Sequence, residues 1–137
     1  MLKLADIRDW IELLGVGEHF YIGKLDNKKE KSIGIYQRKK SGPPHIAIGG
    51  LENTKYEVKP ISVLVHWTKN ADDTEVASFS LFDKLLNLTN VEIGGKHINY
   101  IRMMVPEPQD VGTNDAGVYE RVIWFDLYYE REVEKHG

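Results

Sequence analysis

Tyr119-Glu120-Arg121-Val122-Ile123-Trp124-Phe125-Asp126-Leu127-Tyr128-Tyr129-Glu130 is rich in aromatic and β-branched residues, the composition of a β-strand. Successive side chains of a strand point to opposite faces. Tyr119, Arg121, Ile123, Phe125, Leu127 and Tyr129 therefore share one side, and Glu120, Val122, Trp124, Asp126, Tyr128 and Glu130 the other. A half-exposed strand normally has a polar outer face, yet Trp124 and Tyr128 stand opposite Phe125 and Tyr129. Two arrangements account for this. Either a helix covers each face, or Trp124 and Tyr128 contact a neighbouring subunit, where such aromatics are enriched.

Upstream, residues 109–117 read as a loop whose tail, Asn114-Asp115-Ala116-Gly117, suits a turn closed by glycine. Val91-Glu92-Ile93 and residues 97–105 form a hairpin turned by Gly94-Gly95 and ended by Pro106-Glu107-Pro108. Asn70-Ala71-Asp72-Asp73 opens a helix with carboxylates at the positive end of its dipole, and Val76, Phe79, Phe82, Leu85 and Leu86 form its apolar stripe. Residues 56–67 alternate, with Ile61, Val63, Val65 and Trp67 on one face, and Pro60 suggests an edge, a bulge or a break.

Towards the N-terminus, residues 19–25 and 32–38 flank the polar run 26–31 and give a hairpin signal. Lys39-Lys40-Ser41-Gly42-Pro43-Pro44 cannot be helix interior, and residues 45–48 are a short strand candidate closed by Gly49-Gly50. Leu4, Ile7, Ile11 and Leu14 fall at helical spacing, and Gly15-Val16-Gly17 stops that helix. The order helix, hairpin, two strands, helix, hairpin, strand does not alternate as a doubly wound sheet does. It predicts an α+β fold, a mainly antiparallel or mixed sheet with two helices packed on it, over residues 1–137 as a single domain.

The chain has 137 residues, a usual length for one domain, with 42% hydrophobic and 28% charged residues. With no cysteine there is no dithiol, thiolate zinc site or cysteine nucleophile. This also fits folding in a reducing compartment. No stretch approaches ~20 uninterrupted apolar residues, and nothing reads as a signal peptide, so no membrane partner is expected. Residues 1–60 hold 11 basic against 8 acidic residues and residues 61–137 hold 7 against 13, a split that can make complementary faces. The acidic overall balance speaks against sequence-specific nucleic-acid binding.

No chemical constellation emerges. Gly15-Val16-Gly17 follows a helix rather than a strand, so it is not a phosphate loop. His19, His45, His66, His97 and His136 form no zinc-binding helical pair. The run from Asp110 resembles a calcium loop only superficially, because Asp115 stands where that loop needs glycine and Arg121 where it needs glutamate. Asp72, Asp73 and Glu75 read as helix caps, and Ser41, Ser62, Ser78 and Ser80 lack a nucleophile elbow. No catalytic, cofactor-binding or metal-ligating residue is assigned. A small hydrolase or nucleotide-handling enzyme on the same sheet is the alternative from another class.

Gln37-Arg38-Lys39-Lys40-Ser41-Gly42-Pro43-Pro44-His45-Ile46-Ala47-Ile48-Gly49-Gly50 resembles the minor capsid protein family of tailed phages and prophages of Gram-positive bacteria. So do the run from Asp110 to Glu120, the run from Phe125 to Arg131, and the N-terminal Asp9-Trp10-Ile11. That family is similar to tail terminators, also called tail completion proteins. The resemblance implies a mixed sheet flanked by helices, and a ring of six subunits that caps the tail tube, stops its polymerisation and meets the head connector. It implies no catalytic residues and no cofactor. The expected partners are further copies of the chain, the tail tube protein and the head-tail connector protein. The expected location is the host bacterial cytoplasm during assembly and then the head-tail junction of the virion. A connector or stopper subunit is the nearest alternative. Candidate interface residues are Arg38, Lys39, Lys40, Pro43, Pro44, His45, Asp110, Asn114, Asp115, Trp124 and Tyr128.

Overall fold

The aromatic strand Tyr119–Glu130 sits in the middle of the sheet and organises everything around it. The structure, a computed structural model, describes residues 1–39 and 56–130. The elements in chain order are α1 (Leu4–Leu13), β1 (His19–Ile22), β2 (Ser32–Gln37), β3 (Tyr56–His66), α2 (Ala71–Leu86), β4 (Val91–Ile93), β5 (Lys96–Met103), β6 (Gln109–Thr113) and β7 (Tyr119–Glu130). The sheet runs β1-β2-β3-β7-β5-β4, and β6 also pairs with β7. It is mixed, and with its two helices the fold is α+β.

β3 and β7 pair antiparallel along their whole lengths, from Tyr56 opposite Glu130 to His66 opposite Glu120. On one face Ile33, Ile35, Ile61, Val63, Val65, Ile123, Phe125 and Leu127 are fully buried. They form one core with Ile7, Trp10 and Ile11 of α1 and Leu81, Phe82 and Leu85 of α2. Both helices therefore cover the same face. Among the described residues no helix covers the other.

Pro60 causes no break. Its carbonyl accepts from Arg38 N at 3.0 Å, beyond the last β2–β3 pair at Gln37 and Ile61. Its missing N–H lies on that same flank, at the very end of the β2–β3 ladder, where only the reciprocal bond to Arg38 O is lost.

Three expectations are corrected. Residues 19–38 are not a hairpin, because β1 pairs parallel to β2, with His19 level with Ser32. The segment 23–31 returns the chain to the starting end: Gly23 N donates to Ile35 O, and Glu18 N donates to Lys31 O, both at 2.8 Å. Leu25 is buried against Gly34, where a Cβ would stand only 2.9 Å from Leu25 Cδ2. Gly34 points away from the helices, so this crossover lies on the uncovered side of the sheet. Residues 109–117 are not all loop, since β6 pairs with β7 through a register shift between Asp110 and Gly112, whose φ is +87°. The α2 stripe is also rotated. Thr74, Ala77, Ser78, Leu81, Phe82 and Leu85 are buried, whereas Val76 and Leu86 are exposed.

The turn at Asn114 is as expected. Its side-chain oxygen accepts from Ala116 N and Val118 N at 3.0 and 2.9 Å, and Gly117 N donates to Asn114 O at 3.0 Å. The strand candidate at 45–48 lies outside the described residues.

Candidate assembly surface

The uncovered face is built from the alternate residues of β3, β5 and β7. The β-bulge between Ile98 and Tyr100 resets β5 so that Tyr100 and Arg102 stand on this face, opposite Tyr128 and Asp126. Tyr56, Tyr128 and Tyr100 then form a ladder across three strands, with ring centroids 5.9 and 5.8 Å apart. Such offset, tilted aromatic pairs are favourable beyond the area they bury. Trp124 follows two pairs along β7, with its ring 5.6 Å below the Arg38 guanidinium.

Arg38 also forms an ion pair with Asp126, and its Nε donates to Ile61 O at 3.2 Å. Asp126 is only 5% exposed. A carboxylate there requires a partner, and Arg38, arriving from the end of β2, supplies it. Trp124, Tyr100, Tyr56 and Met104 remain 43%, 60%, 44% and 40% exposed. Tyrosine, tryptophan, methionine and arginine are the residue types enriched at protein–protein contacts.

The sequence candidates divide into three groups. Arg38, Trp124 and Tyr128 come together on this face. Asp110 and Asn114 are turn-formers: Asp110 Oδ1 accepts from Gly112 N at 2.8 Å, and Asn114 caps the β6–β7 turn, with Asp115 exposed at its tip. Lys39 is exposed, and Lys40, Pro43, Pro44 and His45 lie outside the described residues. Tyr100, Arg102, Met104 and Asp126 went unnoticed in the sequence. The bulge that places Tyr100 on this face has no sequence signal, while the alternation of β7 did place Asp126 beside Trp124 and Tyr128.

Among the described residues, one buried side-chain polar atom, on His66, lacks a hydrogen-bond partner. His66 is fully buried, with Nδ1 2.9 Å from Glu120 Oε2, and its Nε2 has no partner among the described residues. Burial, and then the charge of Glu120, push the Tyr36 phenol up, opposed by a backbone hydrogen bond from Leu25. Burial depresses Lys59, whose ammonium donates to Leu2 O. Burial, and then the hydrogen bond and charge of Glu57, push Tyr129 up to about 12. Tyr129 Oη donates to Glu57 Oε2 at 2.7 Å.

A groove of about 560 Å³ runs between the α1–β1 turn and α2, over Trp67. Glu18, Lys31, Asp73 and Ser80 line it, and among the described residues no histidine does. No group of three or more metal-ligating side chains exists among the described residues, and none of their helices is long and apolar enough to cross a membrane.

A comparison with curated proteins finds no match. A comparison with protein families finds that of the bacteriophage tail terminator protein, which matches residues 1–131 and so takes in every helix and strand of the described residues. The chain belongs to the bacteriophage tail terminator family, a family of phage structural proteins, and its role is in phage tail morphogenesis.

Proposed function

We propose that the protein acts by stoichiometric assembly rather than turnover, as a minor capsid or tail completion protein. It folds as a single domain. Copies close into a ring, of six subunits in the virion, that caps the tail tube, stops its polymerisation and presents a surface to the head-tail connector. A closed ring needs two different patches on each subunit. The observation that supports this reading is the sheet face left uncovered by both helices, with Trp124 and Tyr100 exposed beside Arg38 and Arg102. Residues 38–50 and 106–117 contact neighbours or the tail tube. Assembly takes place in the host cytoplasm, and neither a cofactor, a membrane nor a specific nucleic-acid sequence takes part.

Negative-stain microscopy of virions labelled on this protein tests the reading. Label at the head-tail junction is expected, and label on the capsid shell or along the tail overturns it. Deletion of residues 40–44 is expected to leave tails of abnormal length or unjoined to heads. Normal length and joining would count against a contact role for that segment.

A further inference from the structure

α2 carries apolar residues on two sides. One side packs on the sheet, but Val76 and Leu86 are 62% and 57% exposed. At 3.6 residues per turn, Val76, half-buried Phe79 and Leu86 fall within about a quarter-turn of one another. Asp72 and Asp83 share that stripe. A helix apolar on both sides is normally covered on both.

The outer stripe of α2 is acidic, whereas the open sheet face carries a cation with no ion pair among the described residues. α1 and α2 together carry seven carboxylates against Arg8 and Lys84. On the uncovered side of the sheet, the crossover 23–31 carries exposed Lys24, Lys28 and Lys29 against Asp26 and Glu30, while Lys31 borders the groove beside α2 and Glu120 of the face lies 2.9 Å from His66 Nδ1. Arg102 is exposed on that side and forms no ion pair among the described residues, while Glu130 lies at the far margin.

We infer that the outer stripe of α2 in one copy seats on the open sheet face of the next. Val76, Phe79 and Leu86 meet Trp124, Tyr100 and Tyr128, and Asp72 and Asp83 face Arg102. This rests on the assembly reading above and names the two patches that reading requires. The patches differ, so each copy keeps one of each free for a further neighbour, and the contact propagates instead of ending at a dimer. Aromatic side chains suit such a face, because they give large contact area at little cost in rotamer entropy.

The chain has no cysteine, so single thiols can be placed at will. Val76→Cys and Tyr100→Cys proteins, with Leu86→Cys as a second helix position, are purified separately, mixed and treated with a short bismaleimide. The mixture is expected to yield several-fold more cross-linked pair than either protein alone. Asp72→Arg with Asp83→Arg is expected to reduce that yield at least tenfold, and adding Arg102→Asp in the partner to restore part of it. Val76→Cys cross-linking to itself as well as to Tyr100→Cys overturns the pairing in favour of a two-fold contact. So does the absence of product in samples where light scattering finds oligomers, or capture of Tyr100→Cys by the tail tube protein instead of a second copy in virions. A monomer at every concentration overturns self-pairing too. It leaves the tail-capping reading standing, since that is decided by the position of the label on virions.

Discussion

The two faces of β7 share one backbone and one alternation but differ in what covers them. On one side Ile123, Phe125 and Leu127 are fully buried beneath two helices. On the other, Trp124 is 43% exposed and Tyr128 half-buried, with Asp126 held inside by Arg38. The covered face is largely aliphatic and its cost of failure is unfolding. The other face is aromatic and charged and, among the described residues, left partly open to water. Apolar patterning thus reports that a surface is to be covered, but not by which chain.

This contrast is sharpest in its largest effect. Phe125→Ala is expected to destabilise the fold by about 3–5 kcal/mol, through lost transfer energy and the cavity left behind. Chemical denaturation measures it, and a loss below about 1 kcal/mol would remove the distinction between the faces.

Arg38→Ala comes next. Its side chain is 19% and that of Asp126 7% exposed, so the change strands a nearly buried carboxylate. A cost of about 3 kcal/mol is expected. It should be largely relieved by adding Asp126→Asn, which removes the charge, and a double variant no more stable than the single one would contradict that account.

Trp124→Ala should change stability by about 1 kcal/mol or less, the scale of an exposed cation–π contact. The same variant is expected to lose tail completion in an infection assay. Full infectivity with unchanged stability would mean that the open face contacts nothing.

The smallest effect is a pH dependence at the margin of the covered face. Tyr129 is raised from 10.0 to about 12, so the folded state holds its proton more tightly than the unfolded state does. That contribution is fully present below pH 10 and is lost as pH rises through about 12. Tyr129→Phe should flatten the fall in stability over this window, as read by denaturant midpoints across the alkaline range.

Much of the fold was legible where burial imposes a period. The faces of β7, the pairing of β4 with β5 and the start of α2 at Asn70, whose side chain accepts from Asp73 N at 3.1 Å, all follow from the residues. β6 was not legible because it is an edge strand with almost every residue exposed, so no apolar rhythm marks it. The parallel β1–β2 pair was missed because the polar run 26–31 suits a hairpin equally well, and the deciding residue, Leu25, is a single apolar side chain packed on Gly34.

The rotation of α2 has a different cause. Thr74 Oγ1 donates to Asn70 O and Ser78 Oγ to Glu75 O, both at 2.9 Å, so these hydroxyls are satisfied within the helix and can face the core. Counting hydrophobic residues alone placed Val76 and Leu86 inside. Of the candidate surface, Trp124 and Tyr128 were visible as an excess of apolar bulk on the second face. Tyr100 was not, because a bulge turns it there.

The most direct test of a sheet face reserved for assembly is the fluorescence of Trp124. With Trp10→Phe and Trp67→Phe it is the sole tryptophan of the three in the chain. Emission typical of a solvated indole is predicted for the free protein, shifting to the blue and losing access to a soluble quencher once the protein is bound to tails that lack it. An emission and quenching profile unchanged in the bound state would contradict the account.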